Sequence, residues 1–248
     1  MSGRVQRWVM PVVVFCLAIP SVRAEDEPEG KQQDKQFEKE VTLKIKMDYL
    51  LYLPEGYSRD DKPRPLVLFL HGMGDSIARL KRGGLPRQVE QKKDYPFIMV
   101  TPQCPGRSWD PSALNTLLDD IVAKYRVDKD RIYVTGLSMG GFGTWSLAAA
   151  YPDRFAAIVP ICGGGNPVSA PKLKNLPIWA FHGGKDTTVP PRQTESMVKA
   201  LKDAGSENVK FTLYPEAGHD AWTETYKNPE VWDWLLKQKR GGDKKSEK

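Results

Sequence analysis

The stretch TGLSMGGFGT, residues 135 to 144, sets Ser138 between Gly136 and Gly140, with Gly141 next in line. A serine alcohol attacks a carbonyl only when it is exposed and beside a base, and a sharp turn from a strand into a helix exposes it. Such a turn is crowded. Gly136 and Gly140 remove side chains that would meet the neighbouring strand and helix, and Gly141 lets the helix approach closely. The run RIYVT before the serine reads as a buried strand, and GFGTWSLAAAY after it reads as a helix. That is the context a Gly-x-Ser-x-Gly pentapeptide needs before it counts as a nucleophile turn.

A serine nucleophile needs a base, and the chain offers three histidines. His71 and His182 each end a strand-like run and precede a glycine, which reads as turn packing. His219 lies in EAGHDAW, after the last strand, VKFTLYP. In this arrangement the chain order is serine, then acid, then histidine, which selects His219. The acid that orients the imidazole and stabilises its charged form is Asp186, in HGGKDTTVP just past the strand PIWAF. Asp220 adjoins His219 but would point elsewhere along an extended loop. A tetrahedral intermediate also needs two donors for its oxyanion. One is the amide of Met139, at the start of the helix after the serine. The other comes from the loop HGMGD after PLVLFL, where the amide of Met73 is the choice. Asp75 reads as the cap of a helix over SIARLKR.

These residues must be held by a scaffold. PLVLFLHG, PFIMVTPQ, RIYVTGLS, AAIVPICGG and PIWAFHGG are short, nearly continuous apolar runs, the mark of parallel strands covered on both faces. VTLKIK alternates and DYLLYLP follows at once, which predicts an antiparallel opening pair. Between strands lie helical patterns. From Ser112 to Tyr125, the side chains Leu114, Leu117, Leu118, Ile121, Val122 and Tyr125 share one face, with Asp110-Pro111 as cap and first turn. Arg192 to Ala204 and Pro229 to Lys239 read as two more helices. Alternating strands and helices predict a doubly wound α/β sheet.

At 248 residues the chain accommodates one such domain. Residues 1–24 read as a signal peptide: Arg4 and Arg7 precede an apolar run of roughly 13 residues, short of the about 20 that span a bilayer, and Val22-Arg23-Ala24 supplies a cleavage site. The expected location is therefore exported, periplasmic or extracellular, with no stable membrane insertion after cleavage. Residues 25–36 read as a disordered lead-in, 37–239 as the catalytic domain and 240–248 as a basic disordered tail. The formal charge of +6 resides largely in the two ends, leaving the body near −1. A basic groove for nucleic acid is not supported. Cys104 and Cys162 leave different strands and read as free thiols. No CxxC pair, HExxH, P-loop or calcium-loop spacing occurs, so no metal or nucleotide site is expected.

With HGMGD, GLSMGG, HGGKDTTVP and EAGHDAW in this order, the chain resembles the α/β-hydrolase superfamily over roughly residues 41–239. Within it, the chain resembles the phospholipase/carboxylesterase and dienelactone-hydrolase-like group, including polyhydroxybutyrate-depolymerase-like and feruloyl-esterase-like secreted esterases. The resemblance implies a mostly parallel central sheet with helices on both faces, and hydrolysis of carboxylic esters through an acyl-enzyme. It implies no metal and no organic cofactor. The substrate would be a small molecule or an ester linked to a polysaccharide or polyester. GRSWD is similar to a family loop whose tryptophan lines the cleft, which makes Trp109 a binding candidate, and Trp222 is a similar case. Each has a plainer reading as a core or rim aromatic.

Only GGNPVSAPKLKNLP separates AAIVPIC from PIWAF. No lid domain fits there, which predicts an open, shallow cleft suited to short acyl groups or polymer-linked esters. Two other functions use the same residues. A serine peptidase of prolyl-oligopeptidase-like type keeps the triad, but the chain has no gating domain. A hydrolase fold kept as a non-catalytic binding protein would not need an intact serine, acid and histidine.

Overall fold

A computed structural model of the chain describes residues 32, 34–82 and 84–241. The chain forms two units, 1–43 and 44–248. In the first, the described residues adopt neither helix nor strand. The expected signal peptide, residues 25–31 and 33 of the lead-in, and residues 242–248 of the tail lie outside the described residues.

The second unit is built on a seven-stranded sheet. Its strands are β1 (Tyr49–Tyr52), β2 (Arg64–Leu70), β3 (Ile98–Pro102), β4 (Val127–Leu137), β5 (Ala157–Ile161), β6 (Ile178–Gly183) and β7 (Val209–Tyr214), in the spatial order β1-β3-β2-β4-β5-β6-β7. β1 runs antiparallel to β3, and every other neighbouring pair is parallel.

The apolar runs explain this arrangement. Side chains alternate between the faces of a strand, so a continuous apolar run must be covered on both sides. In β2, Leu66, Leu68 and Leu70 enter one core layer, while Val67 and Phe69 enter the other. The first layer is closed by α3 (Pro111–Lys124), α4 (Met139–Ala150) and α6 (Arg192–Asp203), through Leu114, Leu118, Trp145, Met197 and Leu201. The second is closed by α2 (Gly84–Lys92) and α8 (Pro229–Lys237), through Leu85, Val89, Val231, Trp232 and Leu235. This is the α/β-hydrolase fold.

The start of α3 follows the local rules. The Asp110 side chain accepts hydrogen bonds from the Ser112 and Ala113 amides, and Pro111 occupies the first turn. Leu114, Leu117, Leu118 and Ile121 are its buried face.

Three expectations need correction. Residues 41–46, VTLKIK, form no strand, and β1 pairs with β3 instead. Val41 is 74% exposed and Leu43 73%, so the alternation marks no covered face. The cap of α1 (Ile77–Leu80) is Ser76, whose side chain accepts from the Arg79 amide, rather than Asp75. Asp75 faces Arg79 at 3.5 Å. At the other end, order continues to Arg240, whose amide donates to the Asp130 carbonyl and whose guanidinium reaches the Asp153 carbonyl and the Asp130 carboxylate.

The connection between β5 and β6 holds only a 3₁₀ turn (Pro167–Ser169) and the one-turn α5 (Ala170–Leu173). Cys104 and Cys162 are both buried free thiols. Among the described residues, no helix is long and apolar enough to cross a membrane.

Candidate active site

Ser138 lies at the junction of β4 and α4 with φ 53° and ψ −119°, a conformation costing a non-glycine residue on the order of 1–3 kcal/mol. Two backbone bonds hold it: its amide donates to the Ile161 carbonyl at 2.9 Å, and its carbonyl accepts from the Phe142 amide at 3.1 Å. The surrounding glycines make the turn possible by absence. A Cβ on Gly136 would stand 2.4 Å from the Gly140 carbonyl oxygen, one on Gly140 1.9 Å from that of Leu70, and one on Gly141 2.4 Å from that of Ile161.

The structure brings the sequence-selected base and acid to this serine. His219 Nε2 is 2.9 Å from Ser138 Oγ, and His219 Nδ1 is 2.7 Å from Asp186 Oδ2. A carboxylate only accepts, so Nδ1 carries the proton and Nε2 is left to receive the serine's. Asp186 is buried, and its other oxygen accepts from the Thr188 and Val189 amides, both at 2.9 Å. Burial pushes the Asp186 carboxyl upward, but the His219 hydrogen bond and the Val189 and Thr188 amides outweigh it and hold the group below its ordinary value. The acid and histidine loops are tied together by the Gly184 amide on the Tyr214 carbonyl, 2.7 Å, and the Lys185 amide on the Ala217 carbonyl, 2.9 Å. Asp220 points away, accepting from the amide and hydroxyl of Thr223 at the start of α7 (Trp222–Lys227).

Met139 opens α4, so helix geometry leaves its amide without an intrahelical acceptor. Met73 lies in the loop after β2, which comes close to the serine: a Cβ on Gly72 would stand 3.7 Å from that of Ser138. His71 braces this loop as a packing residue. Its Nδ1 donates to the Gly72 carbonyl at 2.6 Å, and its Nε2 accepts from the Cys104 amide at 3.0 Å.

Met73, Met139 and Ser138 face a cleft of about 950 Å³, large enough for a drug-sized molecule. Trp109 forms part of its wall but is only 6% exposed. It packs on Gly143 and donates from Nε1 to the His71 carbonyl at 3.3 Å. Trp222 packs against His219, the ring centroids 5.2 Å apart and the planes nearly perpendicular. The sequence reading missed Phe142, Trp145, Ser146 and Ala149, which line the cleft from α4. Their spacing from Ser138 follows helical periodicity, and that signal was present. From the short β5–β6 connection come Asn166, Ser169 and Lys172.

His182, read as turn packing, is fully buried and touches Asp186: Nε2 to Oδ2 is 3.2 Å. Cys162 completes a cluster whose sulfur, ring nitrogen and carboxylate oxygen lie within 4.8 Å of one another. Burial pushes the Cys162 thiol up to about 12, against the opposing Ala221 and Gly183 amides and with Asp186 adding to the rise. A thiol held protonated is a poor metal ligand. The carboxylate is already engaged by the Thr188 and Val189 amides and by His219.

The fold and this strand–turn–helix serine define an α/β-hydrolase. Residues 91–233 match the dienelactone hydrolase family, and the chain belongs to it. It is 28% identical over 165 residues to a bifunctional acetylxylan esterase/xylanase of Neocallimastix patriciarum, covering 63% of this chain and 24% of that one. It is 34% identical over 118 residues to poly(3-hydroxyalkanoate) depolymerase C of Paucimonas lemoignei, covering 40% and 28%. The chain therefore spans about a quarter of each relative's length. Among solved structures, a thermostable esterase superposes with TM-score 0.67 at 32% identity, covering 79% of this chain and 60% of that one.

Proposed function

We propose that this chain is an exported serine hydrolase that cleaves carboxylic esters, with Ser138 as nucleophile, His219 as general base and acid, and Asp186 as its orienting carboxylate. The observation that carries the reading is the unbroken series from Ser138 Oγ through the His219 ring to Asp186, at 2.9 and 2.7 Å. In the reaction His219 Nε2 takes the serine proton as Oγ adds to the acyl carbon, and Asp186 stabilises the imidazolium that forms. The oxyanion is met by the amides of Met139 and Met73. Collapse expels the alcohol with the proton from His219, leaving an acyl-serine, and a water activated by the same ring then releases the acid.

The lidless β5–β6 connection favours short-acyl or polymer-linked esters, and the names of the relatives agree with such substrates: an acetylxylan esterase and a polyhydroxyalkanoate depolymerase. Export rests on the leader read in residues 1–24. Ser138→Ala should lower hydrolysis of p-nitrophenyl acetate by about 10⁴-fold or more while leaving the melting temperature near native. It should also abolish fluorophosphonate labelling. Undiminished turnover in that variant ends the proposal, and a strong preference for p-nitrophenyl palmitate over acetate ends the substrate assignment.

A further inference from the structure

His182 lies against the acid, Nε2 to Asp186 Oδ2 3.2 Å, and its contacts raise a question of proton count. Its Nε2 lies 2.8 Å from the Val189 carbonyl oxygen, and its Nδ1 lies 2.7 Å from Thr194 Oγ1. The Thr194 hydroxyl in turn donates to the Gly163 carbonyl at 2.7 Å. Both ends of this series are carbonyl oxygens, which only accept. Three contacts at hydrogen-bond distance need three protons. A threonine hydroxyl supplies one, and a neutral imidazole supplies one more. The third is present only if both ring nitrogens are protonated.

We propose that His182 is a positioning residue for Asp186 and carries a proton on both ring nitrogens, forming a buried ion pair with the acid at the same oxygen that His219 meets. The proposal rests on the reading of Ser138, His219 and Asp186 as a catalytic triad. His182, Thr194 and the Asp186 side chain are all inaccessible to solvent. A charge buried this deeply persists only beside its opposite, and the Asp186 carboxylate at 3.2 Å is that partner. The ring's other recorded contacts, among the described residues, are uncharged. The end of β5 contributes Cys162, held as the thiol, α6 contributes Thr194, and the acid loop contributes the Val189 carbonyl.

Two consequences follow. The clamp ties Asp186 to the core, since Thr194 belongs to α6 and Gly163 to the loop packed against α4. The cation also offsets part of the carboxylate's negative charge as felt by His219, whose ring meets the same Asp186 oxygen.

The deciding measurement uses the unmutated protein. Long-range ¹H–¹⁵N correlation of the imidazole rings at mildly alkaline pH separates the two cases, and with three histidines the His182 signals are assigned by their loss in His182→Gln. Two nearly equivalent, protonated ring nitrogens are expected. One protonated and one bare nitrogen, widely split, overturns the proposal. For the catalytic consequence, the acid limb of kcat/KM in His182→Gln should move upward by about one pH unit with KM little changed. An unmoved limb in a folded variant rejects the role assigned to the charge. The ring spectra are independent of turnover, so an active Ser138→Ala variant would sink the triad reading without touching the proton count.

Discussion

Gly140 lies beneath the end of β2 so closely that a Cβ there would stand 1.9 Å from the Leu70 carbonyl oxygen and 2.9 Å from that of His71. Both obstacles are backbone, which cannot swing aside as a flexible side chain would. The substitution Gly140→Ala is expected to cost about 3 kcal/mol or more. Urea midpoints measure it, and a variant as stable as the parent would show that α4 does not need this approach.

The acid loop sets a pH dependence. The Asp186 carboxyl is held below its ordinary value, so around pH 4 and below the unfolded chain binds this proton more readily than the folded protein does. Its contribution to stability is present above the unfolded value, about 3.9, and is lost as pH falls through the folded one. In a series of urea midpoints from neutral to strongly acid pH, Asp186→Asn should show a shallower decline below about pH 4 than the parent. Parallel curves would mean that this carboxylate is not among the groups driving acid unfolding.

Cys162 should be chemically silent in the folded protein. Its thiol is buried and pushed up to about 12, and the thiolate is the reactive form. Neutral-pH alkylation should leave Cys162 unmodified in the native protein and modify it in guanidinium, as read by peptide mass. Rapid native labelling at this position would contradict the burial.

Phe142 is 38% exposed and lines the cleft one helical turn beyond Ser138. Phe142→Ala should raise KM for an aromatic ester by about 2- to 10-fold with kcat nearly unchanged, the worth of one aromatic contact. Steady-state kinetics with a phenyl ester and an acetate of an aliphatic alcohol separate the aromatic contact from a general loss of activity.

Much of this arrangement was legible in the residues. The parallel strands announced themselves because burial on both faces leaves an unmistakable apolar run, and Asp110-Pro111 marked the start of α3 because capping is local. Ser138, His219 and Asp186 were reachable for a related reason: each follows a strand of one sheet, so chain order predicts which loops meet. The failures are equally physical. VTLKIK alternates, but alternation describes a strand only where a partner supplies the hydrogen bonds, and β3 gives that edge to β1. Ser76 and Asp75 are both good caps one position apart, and only the turn geometry chooses between them. For His182, the spacing of four from Asp186 was visible, whereas its contact with Thr194 depends on how α6 packs against β6.

Ser138, Asp186 and His219 follow β4, β6 and β7, so no strand–loop unit contains two of them. A chain still lacking its last strand therefore lacks the imidazole that stands 2.9 Å from the Ser138 hydroxyl. The arrangement is therefore complete only when β4, β6 and β7 stand together in the sheet.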